Sequence, residues 1–278
     1  MIYGYSVFLG TAKFPKDVYE IANRAFEDCK KLKKAVIPEG VYRIGKRAFN
    51  SCTNLEEVIL PSTLKDIDDS AFSDCISLKE INFPSNLRYI KNNAFRNCAS
   101  LMNVNIPDSV EGVGCSCFAD CFNLKRIKFP KEMFHISEYV LANCSNLTDV
   151  ILPENTNILD NGCFSGCSAL SKIDLPNTLE SVKDWVFMKC KLLENIYFSD
   201  GLKEVGYGTF AGCDNLKLVS FPSNVSLLPE PLSELKNVKI DFRKAGKDGD
   251  GDSSGTDSGN GTDNRGDAGS LSMMNMFK

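Results

Sequence analysis

Histidine is almost missing: His135 is the one such residue in 278. That disfavours histidine-based acid–base catalysis and multi-histidine metal sites. Tryptophan also occurs once, at Trp185. No stretch approaches the roughly 18 uninterrupted apolar residues that a spanning helix needs, so no membrane span is expected. The opening MIYGYSVFLGTAKFPKD lacks a basic start and an apolar core before Lys13, so it does not read as a secretory signal and the default address is cytoplasmic. Positive charge is not in excess either. The net charge of −4 and pI of about 5.3 argue against a nucleic-acid footprint. What is present is an ordinary globular mix, 43% apolar and 24% charged, able to bury a core.

The charge is unevenly placed. Residues 245–270 hold six aspartates against Lys247 and Arg265, together with eight of the 20 glycines. Such a segment cannot bury enough surface to offset its ordering entropy. Residues 243–278 are therefore read as a disordered acidic tail, and residues 1–242 as the folded part.

Cysteine spacing decides the architecture. Cys29, Cys52, Cys75, Cys98, Cys121, Cys144, Cys167, Cys190 and Cys213 follow one another at steps of 23. Phe26, Phe49, Phe72, Phe95, Phe118, Leu141, Phe164, Phe187 and Phe210 keep the same step, as does an unbroken leucine column from Leu32 to Leu216. A proline column from Pro15 to Pro222 lapses only at Ser199. A fixed period of this length means a solenoid or repeat array.

One unit, residues 55–75, reads LEEVILPSTLKDIDDSAFSDC. Val58 and Leu60 point one way and Ile59 the other, the alternation of a strand. Pro61 ends the strand because it has no N–H to give a continuing ladder. Leu64 and Ile67 add inward anchors from an extended or turning segment. Ala71, Phe72 and Cys75 fall on one face of a helical or 3₁₀ turn on the outer side. Neither part can bury its apolar side alone, so stacked neighbours must complete the core.

The pattern LxxIxFPxxLxxIxxxAFxxC resembles the 23-residue leucine-rich repeats of BspA-like proteins, the Treponema-type class, over residues 9–240. It differs from the commonest repeat, LxxLxLxxNxL, in its proline after the strand and its lack of an asparagine ladder. The resemblance implies an α/β-type leucine-rich repeat solenoid of about ten turns, the last shortened, with parallel strands on the concave face and short helical or 3₁₀ turns on the convex face. It also implies a non-catalytic, protein-binding role. Some relatives are surface adhesins or antigens that bind host or matrix proteins such as fibronectin and fibrinogen, which would place the chain at the cell surface.

Both ends depart from the repeat. The register reaches back to Tyr3, Ser6 and Leu9, so the array begins in mid-repeat with no room for a cap. At the other end Leu235, Val238 and Ile240 follow Leu216, Val219 and Phe221 after only 19 residues, a shortened last turn. Eleven strands at about 4.8 Å would make a body on the order of 50 Å long.

Twelve cysteines suggest disulfides or zinc, but metal sites need close pairs, and aligned vectors about 4.8 Å apart suit a disulfide poorly. The ladder cysteines read as small buried hydrophobes, with Cys117 and Cys163 in the alanine column as further core. Cys115 belongs to a polar column and reads as an exposed thiol. His135 reads as an exposed loop residue and Trp185 as an outer-face aromatic. In the tail, Arg265, Gly266 and Asp267 spell the tripeptide that integrins read, a match that arises easily in such composition. Asp248, Asp250 and Asp252 imitate a calcium loop that then fails at Ser253 and Gly259. No metal, cofactor or catalytic constellation is expected.

Binding is expected on the outward-facing strand column: Val36, Ile59, Asn82, Asn105, Lys128, Ile151, Asp174, Tyr197 and Ser220, with Arg126 from the neighbouring column. These positions vary freely in charge and size, unlike the core columns. Tyr197, Arg126 and Lys128 are the preferred anchors for a protein partner. Adhesion at a surface and an intracellular scaffold, the latter favoured by many free thiols, both fit. An enzyme would need a nucleophile–base pair or metal cluster outside the repeat columns.

Overall fold

A computed structural model describes residues 6–8, 10–15, 17–227, 235 and 237–243. The acidic tail, with Arg265, Gly266, Asp267 and the aspartate run, lies outside them. Most repeats lay down a three-residue strand whose middle side chain is turned into the core and whose flanking side chains face out. Thr11–Lys13, Lys34–Val36 and Glu57–Ile59 pair in parallel. So do Asn103–Asn105, Arg126–Lys128 and Asp149–Ile151, and then Asn195–Tyr197, Leu218–Pro222 and Lys239–Arg243. Partners within the repeats are 23 residues apart, as Val104, Ile127 and Val150 illustrate. Among the described residues the strand ladder lapses twice, at residues 79–83 and 171–175, which form no strand.

The segment after the proline is a second ladder rather than a plain turn. Two-residue strands Glu20–Ile21, Arg43–Ile44, Asp66–Ile67, Tyr89–Ile90 and Gly112–Val113 pair in parallel, each burying its apolar second residue. A matching series runs from His135–Ile136 to Ser226–Leu227.

The outer side corrects the expectation of helical or 3₁₀ turns. No helix of either kind occurs among the described residues; hydrogen-bonded turns stand in its place. In one of them the N–H groups of Ala48, Asn50 and Cys52 close the turn onto Gly45, Arg47 and Phe49. Those of Arg47, Phe49 and Ser51 donate instead to Asp69, Ala71 and Ser73 of the next repeat. Arg47 and Ser51 hold left-handed backbone, φ 56° and 59°, and so do their counterparts in other repeats. Left-handed residues four apart leave every second N–H aimed along the solenoid axis, which a helix would have kept for itself. The conformation costs about 1–2 kcal/mol per non-glycine residue and is held by the bonds it makes possible.

The core between these three sides is the sum of the repeat columns. Phe26, Phe49, Phe72, Phe95 and Phe118 stack with centroids 5.0 to 5.5 Å apart, and Phe164, Phe187 and Phe210 continue at 5.7 and 6.2 Å after the break at Leu141. Paired strands lie only about 4.8 Å apart. The turns therefore fan outward on the aromatic side and the strand ladder takes the inner, concave arc.

Both ends differ from the sequence expectation. Ser6–Phe8 is not another solenoid turn but an antiparallel partner that covers the outer edge of Thr11–Lys13. Covering an edge in this way removes a row of unpaired backbone groups. At the far end Lys239–Arg243 pairs with Leu218–Pro222 at an offset of 21, not 19, so that Val219 meets Ile240 and Phe221 meets Phe242.

Candidate binding face

The candidate site is the strand face. Because the strand alternates, residues on both sides of each buried centre stand on the open surface. Val36, Ile59 and Tyr197 are exposed at 44%, 45% and 60%. Asn82, Asn105, Arg126 and Asp174 are exposed, and Lys128 and Ile151 half-buried. Ser220 is the exception. It is 2% exposed, because its small side chain lies between Tyr197 and Asp241 on the two flanking strands. Ser220 is therefore withdrawn from the face.

Charges on this face are largely paired along the ladder. Lys34 bridges to Glu57 at 2.8 Å, Lys79 to Glu56 at 3.2 Å and Arg126 to Asp149 at 3.0 Å. Among the described residues Lys128 has no ion pair. Three rungs separate Arg126 from Tyr197, about 14 Å at strand spacing, so these two anchors are not brought together. Asn82, Asn105, Arg126 and Lys128 are. With Lys79, Glu80 and Asn103 they line an open cavity of about 700 Å³, where the ladder lapses at residues 79–83. The sequence carries no signal of the lapse, since LKEINFP keeps the repeat pattern.

The thiols divide as their columns indicate. All twelve cysteines are free. Cys117 and Cys163 are buried, Cys115 is exposed, and of the ladder only Cys29 is half-buried. Burial pushes the Cys52 and Cys121 thiols up to about 12 and holds Cys75, Cys98 and Cys144 well above the ordinary thiol range. Thiolate is the reactive form, so these groups are poor nucleophiles and poor metal ligands. No group of three or more metal-ligating side chains occurs among the described residues.

His135 is exposed as expected but sits in a strand of the second ladder, not in a loop. Trp185 is half-buried, edge-on to Tyr207 at 6.3 Å, with its ring over Gly208. That packing accounts for it without a ligand. No helix among the described residues is long and apolar enough to cross a membrane.

Comparison with known proteins agrees with this geometry. A leucine-rich repeat protein from Bacteroides ovatus is 28% identical, with a TM-score of 0.72 over 78% of this chain. The chain spans 61% of that protein. The leucine-rich repeat protein of T. pallidum is 26% identical, with a TM-score of 0.56 over 69% of this chain and 88% of its own. The pneumococcal vaccine antigen PcpA, 21% identical with a TM-score of 0.51 over 85% of this chain and 80% of its own, shares the fold. No curated protein matches the chain. The family model for the BspA type leucine rich repeat region matches residues 3–125 and 111–232, and the chain belongs to that family.

Proposed function

We propose that the chain is a non-catalytic binding protein that holds a protein partner on its concave strand face. The observation that carries this is the contrast within each strand. The inward-facing centre is always apolar, while the flanking pair changes from Lys34 and Val36 to Asn103 and Asn105 to Asn195 and Tyr197. A face whose support is uniform and whose surface varies is suited to recognition, and solenoids commonly bind through such extended surfaces. Exposed Tyr197 supplies the aromatic type enriched at interface hot spots.

Within this reading, family resemblance favours adhesion or surface antigenicity toward host or matrix proteins. A second reading, a scaffold in a reducing compartment, rests on the twelve free thiols. Selection of a random peptide library on the full chain tests the binding role. Selected peptides should lose affinity for a Tyr197→Ala, Lys128→Ala variant and keep it for Lys46→Ala, on the turn side. Equal binding to all three would overturn it. Purified fibronectin and fibrinogen then test the adhesin reading, which falls if neither binds the strand face.

A further inference from the structure

The cavity at the ladder lapse is a built feature of the strand face. Glu57–Ile59 is bonded to Lys34–Val36 on one side, and Asn103–Asn105 to Arg126–Lys128 on the other. Between them the backbone of residues 80–83 makes none of the inter-strand bonds that tie the other rungs. Residues 79–83 still occupy that rung, with Ile81 buried beneath it, so the lapse opens a cavity on the strand face that their own side chains help to line.

The side chains around the lapse place an unpaired cation at one position in it. Lys79, Arg126 and Lys128 line it against one carboxylate, Glu80. Lys79 and Arg126 are balanced by Glu56 and Asp149, which leaves Lys128 and Glu80 without an ion pair among the described residues; they stand two rungs apart, so any preference for a carboxylate is local to Lys128. Asn82, Asn103 and Asn105 stand beside it, and their carboxamides make no hydrogen bond among the described residues. An unpaired ammonium is a point-charge donor for a carboxylate, and a carboxamide can both donate to and accept from a peptide group. Half-burial strengthens such a pair relative to open water.

We propose that this cavity, centred on Lys128 with Asn82, Asn103 and Asn105, receives an acidic side chain carried on an extended segment of the partner protein. The inference rests on the strand-face reading above and names the chemistry of its central subsite.

The test uses the full chain and two fluorescent decapeptides, one alternating glutamate with serine and the other glutamine with serine, followed by anisotropy. The glutamate peptide should bind at least about tenfold more tightly than the glutamine peptide, with the difference shrinking as salt is raised. Lys128→Met should remove most of that preference and Lys128→Arg should keep it. Lys125→Met, an exposed lysine outside the cavity, should change nothing. Thermal midpoints of the variants confirm that each is folded. Equal affinity for the two peptides, no binding of the glutamate peptide at millimolar concentration, or an unchanged preference in Lys128→Met would each overturn the carboxylate subsite. Library peptides that depend on the strand face but bind Lys128→Met normally would sink this inference alone; binding independent of the strand face would sink the broader reading.

Discussion

The thiol of Cys98 donates to the backbone carbonyl of Phe72, one repeat behind it, at 3.3 Å. That carbonyl also accepts from the N–H of Cys75 within its own turn. The same arrangement recurs from Cys52 on Phe26 to Cys213 on Phe187. A buried carbonyl has two lone pairs, and the turn satisfies only one of them. Cysteine suits the position because it is compact, tolerates burial and still carries a weak donor. Cys98→Ala should lower stability by about 1–2 kcal/mol through the lost bond and the small void. Cys98→Ser should cost less than Cys98→Ala, since its hydroxyl still donates. Denaturant midpoints check the order, and a serine variant weaker than alanine would make the thiol mere filler.

Much of this was legible beforehand. The columns at Phe72, Cys75 and Leu78 fixed period, strand position and core, because a solenoid repeats one environment and so repeats its residues. What the columns could not show is how the turn bonds. A helical turn and a chain of left-handed turns place Ala71, Phe72 and Cys75 inward alike, and only φ at Ser70 and Asp74 tells them apart. An asparagine pattern was also overlooked: Asn92 accepts from the N–H of Cys115 at 2.8 Å, as Asn23 does from Lys46. A visible signal accompanied it. Gly114 and Gly45 come 22 residues later, where a Cβ would lie 2.4 Å and 2.6 Å from an asparagine atom. The cavity beside Asn82 had no signal, since it follows from a lapse in pairing rather than from residue type.

Phe95 lies in the middle of the stacked aromatic column, fully buried between Phe72 and Phe118. Phe95→Ala should destabilise the solenoid by about 3–5 kcal/mol, by lost transfer energy and the cavity left behind. Phe122→Ala, at an exposed position, should stay within about 0.5 kcal/mol. Similar effects of the two on the denaturation midpoint would break the column assignment.

Tyr139 and Gly162 are a coupled pair. Gly162 holds φ 57°, and a Cβ there would lie 2.2 Å from the Tyr139 ring. Gly162→Ala therefore adds a clash to left-handed strain of about 1–2 kcal/mol. In a Tyr139→Ser background the clash disappears and only the strain should remain. A double-mutant cycle on unfolding midpoints should give a coupling of about 0.5–3 kcal/mol, and additivity would show that the ring moves aside freely.

Glu204 gives the acid limb of stability a local contribution. A hydrogen bond from the Lys183 ammonium, with another from the Ser181 hydroxyl at 2.6 Å, holds its carboxyl below the usual glutamate range. A folded-state value below the unfolded one contributes stability that is present above the unfolded pKa and lost as pH falls through the folded one. The window therefore opens near the ordinary 4.5 and extends downward. Because the side chain is 41% exposed, solvent screening limits the effect to less than about 1 kcal/mol. Glu204→Gln should be slightly less stable than the wild type at neutral pH and converge with it near pH 3, in measurements at low salt. A difference that persists in acid would place the effect in packing instead.

Thiol labelling connects the core assignment to dynamics. Cys115 is exposed and Cys29 half-buried, while the other ten cysteines are buried in the column between turns and strands. A buried thiol reacts only when its repeat opens, and its raised pKa suppresses the thiolate further. Under native conditions Cys115 should label within minutes, Cys29 more slowly, and the remaining ten only at the rate of local opening. Denaturant should release all twelve at once if the array unfolds as a unit. A repeat array can instead open stepwise, since each unit touches only its neighbours. Mass spectrometry of partly labelled protein separates the cases. Early labelling at Cys98, beside the unpaired rung at residues 79–83, would show that the lapse in the strand ladder is also where the solenoid opens first. Early labelling at Cys213 alone would put opening at the chain end, with the rung at residues 79–83 held firmly by its packing.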